Sequence, residues 1–249
     1  MSCLLVPYHV DEPLPALDAP FPADAAVTMP LPEGDTWQRL AHLYEAVAVA
    51  VADLVARGDR PLVMSGDCTT SLGIVAGLQR AGVSPSLVWL DAHGDLQTPE
   101  TTASGYIGGM PLRLLVGYRP ELIARSLGLR ATPEERVVLV DARDLDPPER
   151  EYLVRARIQR CLVDALAAER LPDGPLYLHL DCDVIDPDDL PGVLFPAPGG
   201  PSLSAVAEAV RRVLETGRVA AIGLACTWHS GRGAAERVRG GFAHMLSGL

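Results

Sequence analysis

The sequence predicts an α/β protein, a mostly parallel sheet wrapped by helices. Three observations predict it. Short apolar runs alternate with longer stretches of helical periodicity along the chain. The runs are continuously apolar rather than alternating, as in strands buried on both faces. Chemically active side chains follow directly on those runs, where open α/β sheets bind ligands.

Taken in order, Leu4 to Tyr8 reads as the first strand, and residues 11–35, rich in Pro, Asp and Ala, as an irregular loop. Asp35 or Thr36 caps a helix that opens near Trp37 and runs to about Ala56. Its Leu40, Leu43, Ala46, Val47, Ala50 and Val51 fall at helical spacing, and Gly58 ends it. A strand at Pro61 to Met64, a helix at Ser71 to Ala81 and a strand at Ser86 to Leu90 follow. The polar loop from Asp91 to Gly109 leads into a helix from about Met110. Val137 to Val140, Leu176 to Leu180 and Arg218 to Leu224 complete the strands. Helices near Pro147 to Ala168, Ser202 to Glu215 and Ala234 to Leu246 lie between or after them. With no internal repeat or linker, residues 1–249 read as a single domain.

Composition narrows the function. The 249 residues hold 21 basic against 32 acidic side chains, a net charge of −11, and 48% are apolar, ample for a large core. No basic stripe exists to neutralise phosphates, which argues against nucleic acid, and the acidity disfavours an anionic membrane surface. The most apolar runs, Ala46 to Ala52 and Leu87 to Leu90, fall far short of the roughly 20 residues that span a bilayer. The start, Met1-Ser2-Cys3-Leu4, lacks a signal peptide's basic residues, so a cytoplasmic location is expected. Five scattered cysteines make no disulfide framework.

The chemistry follows the strands. After Met64 comes Ser65-Gly-Asp-Cys68, after Leu90 Asp91-Ala-His93-Gly-Asp95, and after Leu180 Asp181-Cys-Asp183 with Asp186-Pro187. In a parallel sheet these ends share one edge, so their carboxylates and a histidine converge there. Buried like charges cannot all stay ionised, and divalent cations resolve the conflict, two better than one. Oxygen-rich ligation with one imidazole suits Mn²⁺ more than a structural zinc site. Two metals about 3.5–4 Å apart can activate a water for attack on an electrophilic carbon. Singly, each motif is an ordinary polar loop or turn; together and in this order they point to metal-assisted hydrolysis.

These motifs resemble the ureohydrolases, the family of arginase, agmatinase and formimidoylglutamase, which carries Gly-Gly-Asp-His, Asp-Ala-His-x-Asp and Ser-x-Asp-x-Asp-x-x-Asp-Pro in this order. The resemblance covers essentially the whole chain. It implies a three-layer α/β/α fold around a mostly parallel sheet of about eight strands, a small-molecule substrate and a homo-oligomer. It also implies that Asp91 and Asp181 bridge two Mn²⁺ ions. Cys68 and Asp95 would complete one site, His93 and Asp183 the other. Asp95 would receive the proton of the attacking hydroxide. Gln97, Thr102 and Ser104 match a loop that grips a substrate α-carboxylate. Arg143-Asp-Leu-Asp146-Pro-Pro-Glu149 matches the segment that reads an α-amino group. Asp146-Pro-Pro-Glu149 is also an ordinary helix start, and the two roles are compatible.

Three departures from the family matter. Its ligand histidine is Cys68 here, its proton-shuttling histidine is Gly108, and its guanidinium-orienting glutamate falls on Trp228. The first two departures, with Gly94 to Met110, are similar to the Nω-hydroxy-L-arginine amidinohydrolase branch. Trp228 cannot accept a hydrogen bond but can stack on a guanidinium. Cys68 is either a thiolate ligand that softens its site toward Zn²⁺ and weakens Mn²⁺ there, or a buried thiol. Cys182 and Cys226 read as core fillers, His179 as a strand residue, and His9 lacks ligand partners at useful spacing. The leading expectation is a metal-dependent hydrolase of an arginine-like substrate. The alternative is an impaired relative that binds metal or an amino acid without turnover, and a third, less favoured, is a one-zinc deacetylase of linear amides.

Overall fold

A computed structural model describes residues 1–246 of the chain. Its elements are β1 (Ser2–Val6), β2 (Tyr8–His9), β3 (Glu12–Pro13), β4 (Ala25–Ala26), α1 (Thr36–Ala56), β5 (Pro61–Ser65) and α2 (Ser71–Arg80). After these come β6 (Ser86–Asp91), α3 (Pro111–Leu115), β7 (Val137–Asp141), α4 (Pro147–Arg155) and β8 (Gln159–Cys161). The chain continues through β9 (Leu176–Asp181), α5 (Leu203–Leu214), β10 (Val219–Ala225) and α6 (Ala234–Leu246).

Eight strands form one parallel sheet in the order β4-β1-β5-β10-β9-β6-β7-β8, and β2 and β3 make a small antiparallel hairpin. The central strands β5, β6 and β9 are buried along their whole length, as their unbroken apolar runs predict. Each face carries its own core. Leu43, Tyr44, Leu72, Leu112 and Trp89 lie on one side, under α1, α2 and α3. Leu178, Val88, Val206, Val238 and Phe242 lie on the other, under α5 and α6. Burying each large apolar side chain contributes about 1.5–3 kcal/mol. The architecture is three-layer α/β/α.

Local chemistry sets the helices. Asp35 accepts the Gln38 backbone N–H at 2.9 Å, and Gln38 Oε1 accepts the Asp35 N–H at 3.2 Å, a reciprocal cap that starts α1. Glycines on α2 let α1 lie close. A Cβ at Gly77 would stand 2.6 Å from the Ala48 carbonyl oxygen.

Two predicted elements differ. The expected helix from Pro147 to Ala168 stops at Arg155, because residues 159–161 pair with the open edge of β7 through Val138, Leu139 and Val140. Edge hydrogen bonding overrides the local helical tendency there. The expected loop at 11–35 contains β3 and β4, each two residues long, too short for any periodicity to register. Among the described residues no helix is long and apolar enough to cross a membrane.

Candidate metal centre and active-site cavity

The sheet delivers the site residues to one edge. Cys68 follows β5, Thr227 follows β10, Asp181 and Asp183 end and follow β9, and Asp91, His93 and Asp95 do so for β6. Asp146 and Glu149 follow β7. These loops close around a cavity of about 320 Å³, the size of a small-molecule site.

Asp91 and Asp181 are each oriented by a backbone N–H of their own loop. Asp91 Oδ1 accepts the His93 N–H at 2.7 Å, and Asp181 Oδ1 accepts the Asp183 N–H at 2.9 Å and the Thr227 hydroxyl at 2.5 Å. Asp181 Oδ2 accepts the Cys68 thiol at 2.9 Å. The His93 ring places Nδ1 3.1 Å from Asp183 Oδ2 and 3.4 Å from Asp91 Oδ1. Asp95 sits in the left-handed region, φ 53°, an uncommon conformation outside glycine. Glu149 secures that turn by accepting the Leu96 N–H at 2.9 Å, while its other oxygen accepts the Asp146 N–H at 3.0 Å. Gly94 leaves the room this needs, since a Cβ there would come within 2.6 Å of the Glu149 carboxylate.

The electrostatics favour a cation. Asp91, Asp95, Asp181 and Asp183 are each at most 4% exposed. Burial, followed by the charges of Asp91 and Asp181, raises the Asp95 carboxyl well above the ordinary range. Burial and the charges of Asp183 and Asp91 do the same to Asp181. Burial and Asp91 push Asp183 up to about 6. Burial pulls His93 down, but the Asp183 and Asp91 hydrogen bonds and charges outweigh it and push the imidazole up to about 12. One imidazolium balances only one of four clustered carboxylates. Divalent ions are the natural counter-charges.

The donor atoms fit such ions. Asp91, His93 and Asp183 form one group with all donor atoms within 4.8 Å of one another; Cys68, Asp91, Asp95 and His179 form a second. Two buried donors in the second group, Asp95 Oδ2 and His179 Nε2, have no hydrogen-bond partner. His179 lies in β9 as the sequence suggests, and its place among these donor atoms is what sequence reasoning missed. Its ring stacks on Trp89 with centroids 3.7 Å apart, its Nδ1 is 3.1 Å from the Ser71 hydroxyl, and burial lowers its pKa to about 3. A neutral imidazole with one ring nitrogen tethered and the other free is how proteins present histidine to metals. The available signal was its two-residue spacing from Asp181, which puts both on one strand face.

A family model described as the arginase family matches residues 16–226. The chain belongs to the arginase family. It is 36% identical to the arginase of Brevibacillus brevis over 198 residues, 71% of this chain and 66% of that protein. It is 33% identical to the arginase of Bacillus caldovelox over 175 residues, 65% of this chain and 58% of the relative. The matches thus span 66% or less of those relatives' own lengths. The fold is similar to the crystal structure of arginase from Bacillus subtilis, with a TM-score of 0.83 and 24% identity, covering 100% of this chain and 97% of that one. It is also similar to that of Bacillus cereus arginase, with a TM-score of 0.80 and 24% identity over 97% and 96%.

In this arginase-family chain the expected substrate residues are not all brought together. Gln97, Thr102, Ser104, Asp146 and Glu149 line the cavity, and Gln97 Nε2 donates to Asp146 Oδ2 at 2.7 Å. Trp228 does not line it. Its ring is 4% exposed in the core beneath α6, and its indole N–H donates to the Asp18 carbonyl at 3.1 Å. Thr227 faces the cavity instead. Phe195, from the long loop after β9, forms another wall and meets the His93 ring edge-on at 6.4 Å. Nothing local in its sequence marked it, because loop closure over the site brings it there. Asp67 faces away, accepting the Val10 N–H at 2.6 Å, and Asp186 accepts the Gly199 and Gly200 N–H groups, each at 2.8 Å.

Proposed function

We propose that this arginase-family chain is a binuclear-metal amidinohydrolase, cleaving the C–N bond of a guanidino or hydroxyguanidino amino acid to urea or hydroxyurea and an amine. The observation that carries the reading is the pair of donor groups sharing Asp91, whose members other than His179 line one cavity. Asp91, His93 and Asp183, with Asp181 beside them, would hold Mn²⁺. Cys68, Asp91, Asp95 and His179 would hold a second ion, with Zn²⁺ favoured if the thiol ligates as thiolate. When bound, such a pair supplies Lewis-acid polarisation and an activated water.

The chain's own groups do the rest. The unpartnered Asp95 Oδ2 is the base placed to take the attacking water's proton. Thr227 and the Asp183 N–H hold the Asp181 carboxylate in orientation. Asp146 and Gln97 offer an acceptor and a donor to an α-amino acid head group, with the Thr102 and Ser104 hydroxyls at the mouth for its carboxylate. Glu149 spends both oxygens on backbone N–H groups, so its part is to hold Asp95 and Asp146 in place.

The test is metal content and turnover on one preparation. With two metals bound, the protein is expected to hydrolyse Nω-hydroxyarginine in preference to arginine, agmatine and formiminoglutamate, as the Cys68 and Gly108 departures suggest. Two bound metals with no turnover of any of the four would instead support the second reading, binding without catalysis. The structural feature favouring that reading is the removal of Trp228 from the cavity, which leaves only the Thr227 hydroxyl after β10 to meet a guanidino group.

A further inference from the structure

Tyr106, which lines the cavity, pairs with His9. The Tyr106 hydroxyl lies 3.0 Å from His9 Nε2, and the rings stack nearly parallel with centroids 5.6 Å apart. His9 Nδ1 lies 2.9 Å from the Gly66 carbonyl oxygen. A carbonyl only accepts, so Nδ1 carries a proton, and in neutral His9 the Nε2 atom must accept from the phenol. The phenol's lone pairs then face the cavity. When His9 is protonated, Nε2–H donates to the phenol oxygen, and the phenol O–H turns toward the cavity. One proton on His9 therefore converts Tyr106 from an acceptor into a donor.

The surroundings are built for this pair. Tyr106 is half-buried and lines the cavity, and His9 is partly exposed, so the two bridge cavity and solvent. Phe195 covers the Tyr106 ring, with centroids 5.3 Å apart. The ring needs Gly108, because a Cβ at that position would overlap its hydroxyl end. Next to His9, Val10 adopts φ 55°, a strained conformation for a β-branched residue, and Asp67 secures it by accepting the Val10 N–H at 2.6 Å.

We propose that Tyr106 is the proton donor to the departing amine and that His9 recharges it from solvent. The step balances. The Tyr106 O–H bond breaks as an N–H bond forms on the leaving nitrogen when its C–N bond cleaves. The His9 Nε2–H bond breaks as the phenol regains its proton, and neutral His9 is reprotonated by solvent. Tyr106 is thus a catalytic residue and His9 acts through it. The proposal rests on the hydrolase reading above.

The experiment compares full-length wild type with Tyr106→Phe, His9→Ala and Gly108→Ala, Mn²⁺-loaded and assayed with Nω-hydroxyarginine. Each variant is expected to lose about 100-fold in kcat with KM little changed, the scale of a lost general acid. Added imidazole should restore His9→Ala and leave Tyr106→Phe unrestored. A second readout needs no turnover: ¹⁵N-histidine NMR of the metal-free protein should show His9 protonated at Nδ1, with the Nε2 resonance moving in Tyr106→Phe. Tyr106→Phe within about threefold of wild-type kcat, or His9 protonated at Nε2 alone when neutral, overturns the relay and leaves the hydrolase reading standing. A wild type inert to all four substrates, with two metals bound, overturns the hydrolase reading and the relay's catalytic role with it.

Discussion

The His179 imidazole and the Cys68 thiol share one buried group of donor atoms, within 4.8 Å of each other and of Asp91 and Asp95. The thiol comes from the turn after β5 and the imidazole from inside β9, two strands away across β10. A site with a soft cysteine at its rim therefore has a nitrogen donor beneath it, supported by Ser71 and Trp89. This has a direct consequence for metal loading. Wild type is expected to bind two divalent ions per chain. His179→Ala should weaken one of them by at least about 10-fold, while Cys68→His should leave two. Metal analysis after dialysis with a calorimetric titration checks this. An unchanged titration in His179→Ala would remove His179 from the ligand set.

The titrating groups give the chelated protein a characteristic pH dependence. Asp183, raised from 3.8 to about 6, keeps a proton in the folded state that the unfolded chain releases, so its contribution to stability is lost between those values. Asp95 and Asp181 shift in the same direction, whereas Asp91, lowered, opposes them at the acid end. His93, raised from 6.5 to about 12, contributes stability that is full below 6.5 and lost as pH rises toward 12. The melting temperature in chelator is therefore expected to fall from pH 4 to 6 and again above 6.5, by about 2–4 °C per kcal/mol. Saturating Mn²⁺ should flatten or reverse the slope, since metal and protons compete for the same atoms. Calorimetric scans decide it; a melting temperature that climbs through pH 4–6 in chelator contradicts the assignment.

Reinstating the family's glutamate at Trp228 should not help. Trp228→Glu removes a large core side chain, at about 3–5 kcal/mol, and places a carboxylate where the indole meets a carbonyl that cannot donate to it. A clear drop in melting temperature with no gain in turnover is expected from thermal denaturation and assay. A stable, more active variant would mean that this segment can turn toward the cavity.

Asp146 presents an exposed carboxylate at the cavity wall, where its Oδ2 accepts from the Gln97 amide. Asp146→Ala is expected to raise KM for an α-amino acid substrate by about 10-fold or more with kcat nearly unchanged, the pattern of lost ground-state binding. Agmatine, without the carboxylate, then serves as the comparison. An unaltered KM would separate Asp146 from the α-amino group.

Much of this site is legible in the sequence because it is local. Asp91, His93 and Asp95 fall within five residues from the last residue of one strand, and Asp181 and Asp183 do the same at another, so finding the strand finds these residues. The parallel sheet follows from the unbroken apolar runs of β5, β6 and β9, which only two-sided burial explains. What stayed hidden depends on neighbours distant in sequence. The strand at Gln159–Cys161 exists because β7 offers an edge, against a local pattern that suggests helix. His179 reads as a strand residue until the turn carrying Cys68 and the end of β6 are set beside it. Tyr106 and His9, 97 positions apart, meet only because Gly108 vacates the space for the ring. Sequence alone determined the strand ends and the acids on them, since periodicity and loop position are properties of contiguous residues. Tertiary structure alone decided which nitrogen stands behind Cys68, that Trp228 turns into the core, and where the phenol finds its imidazole, because each of those depends on which surfaces the folded chain removes from water.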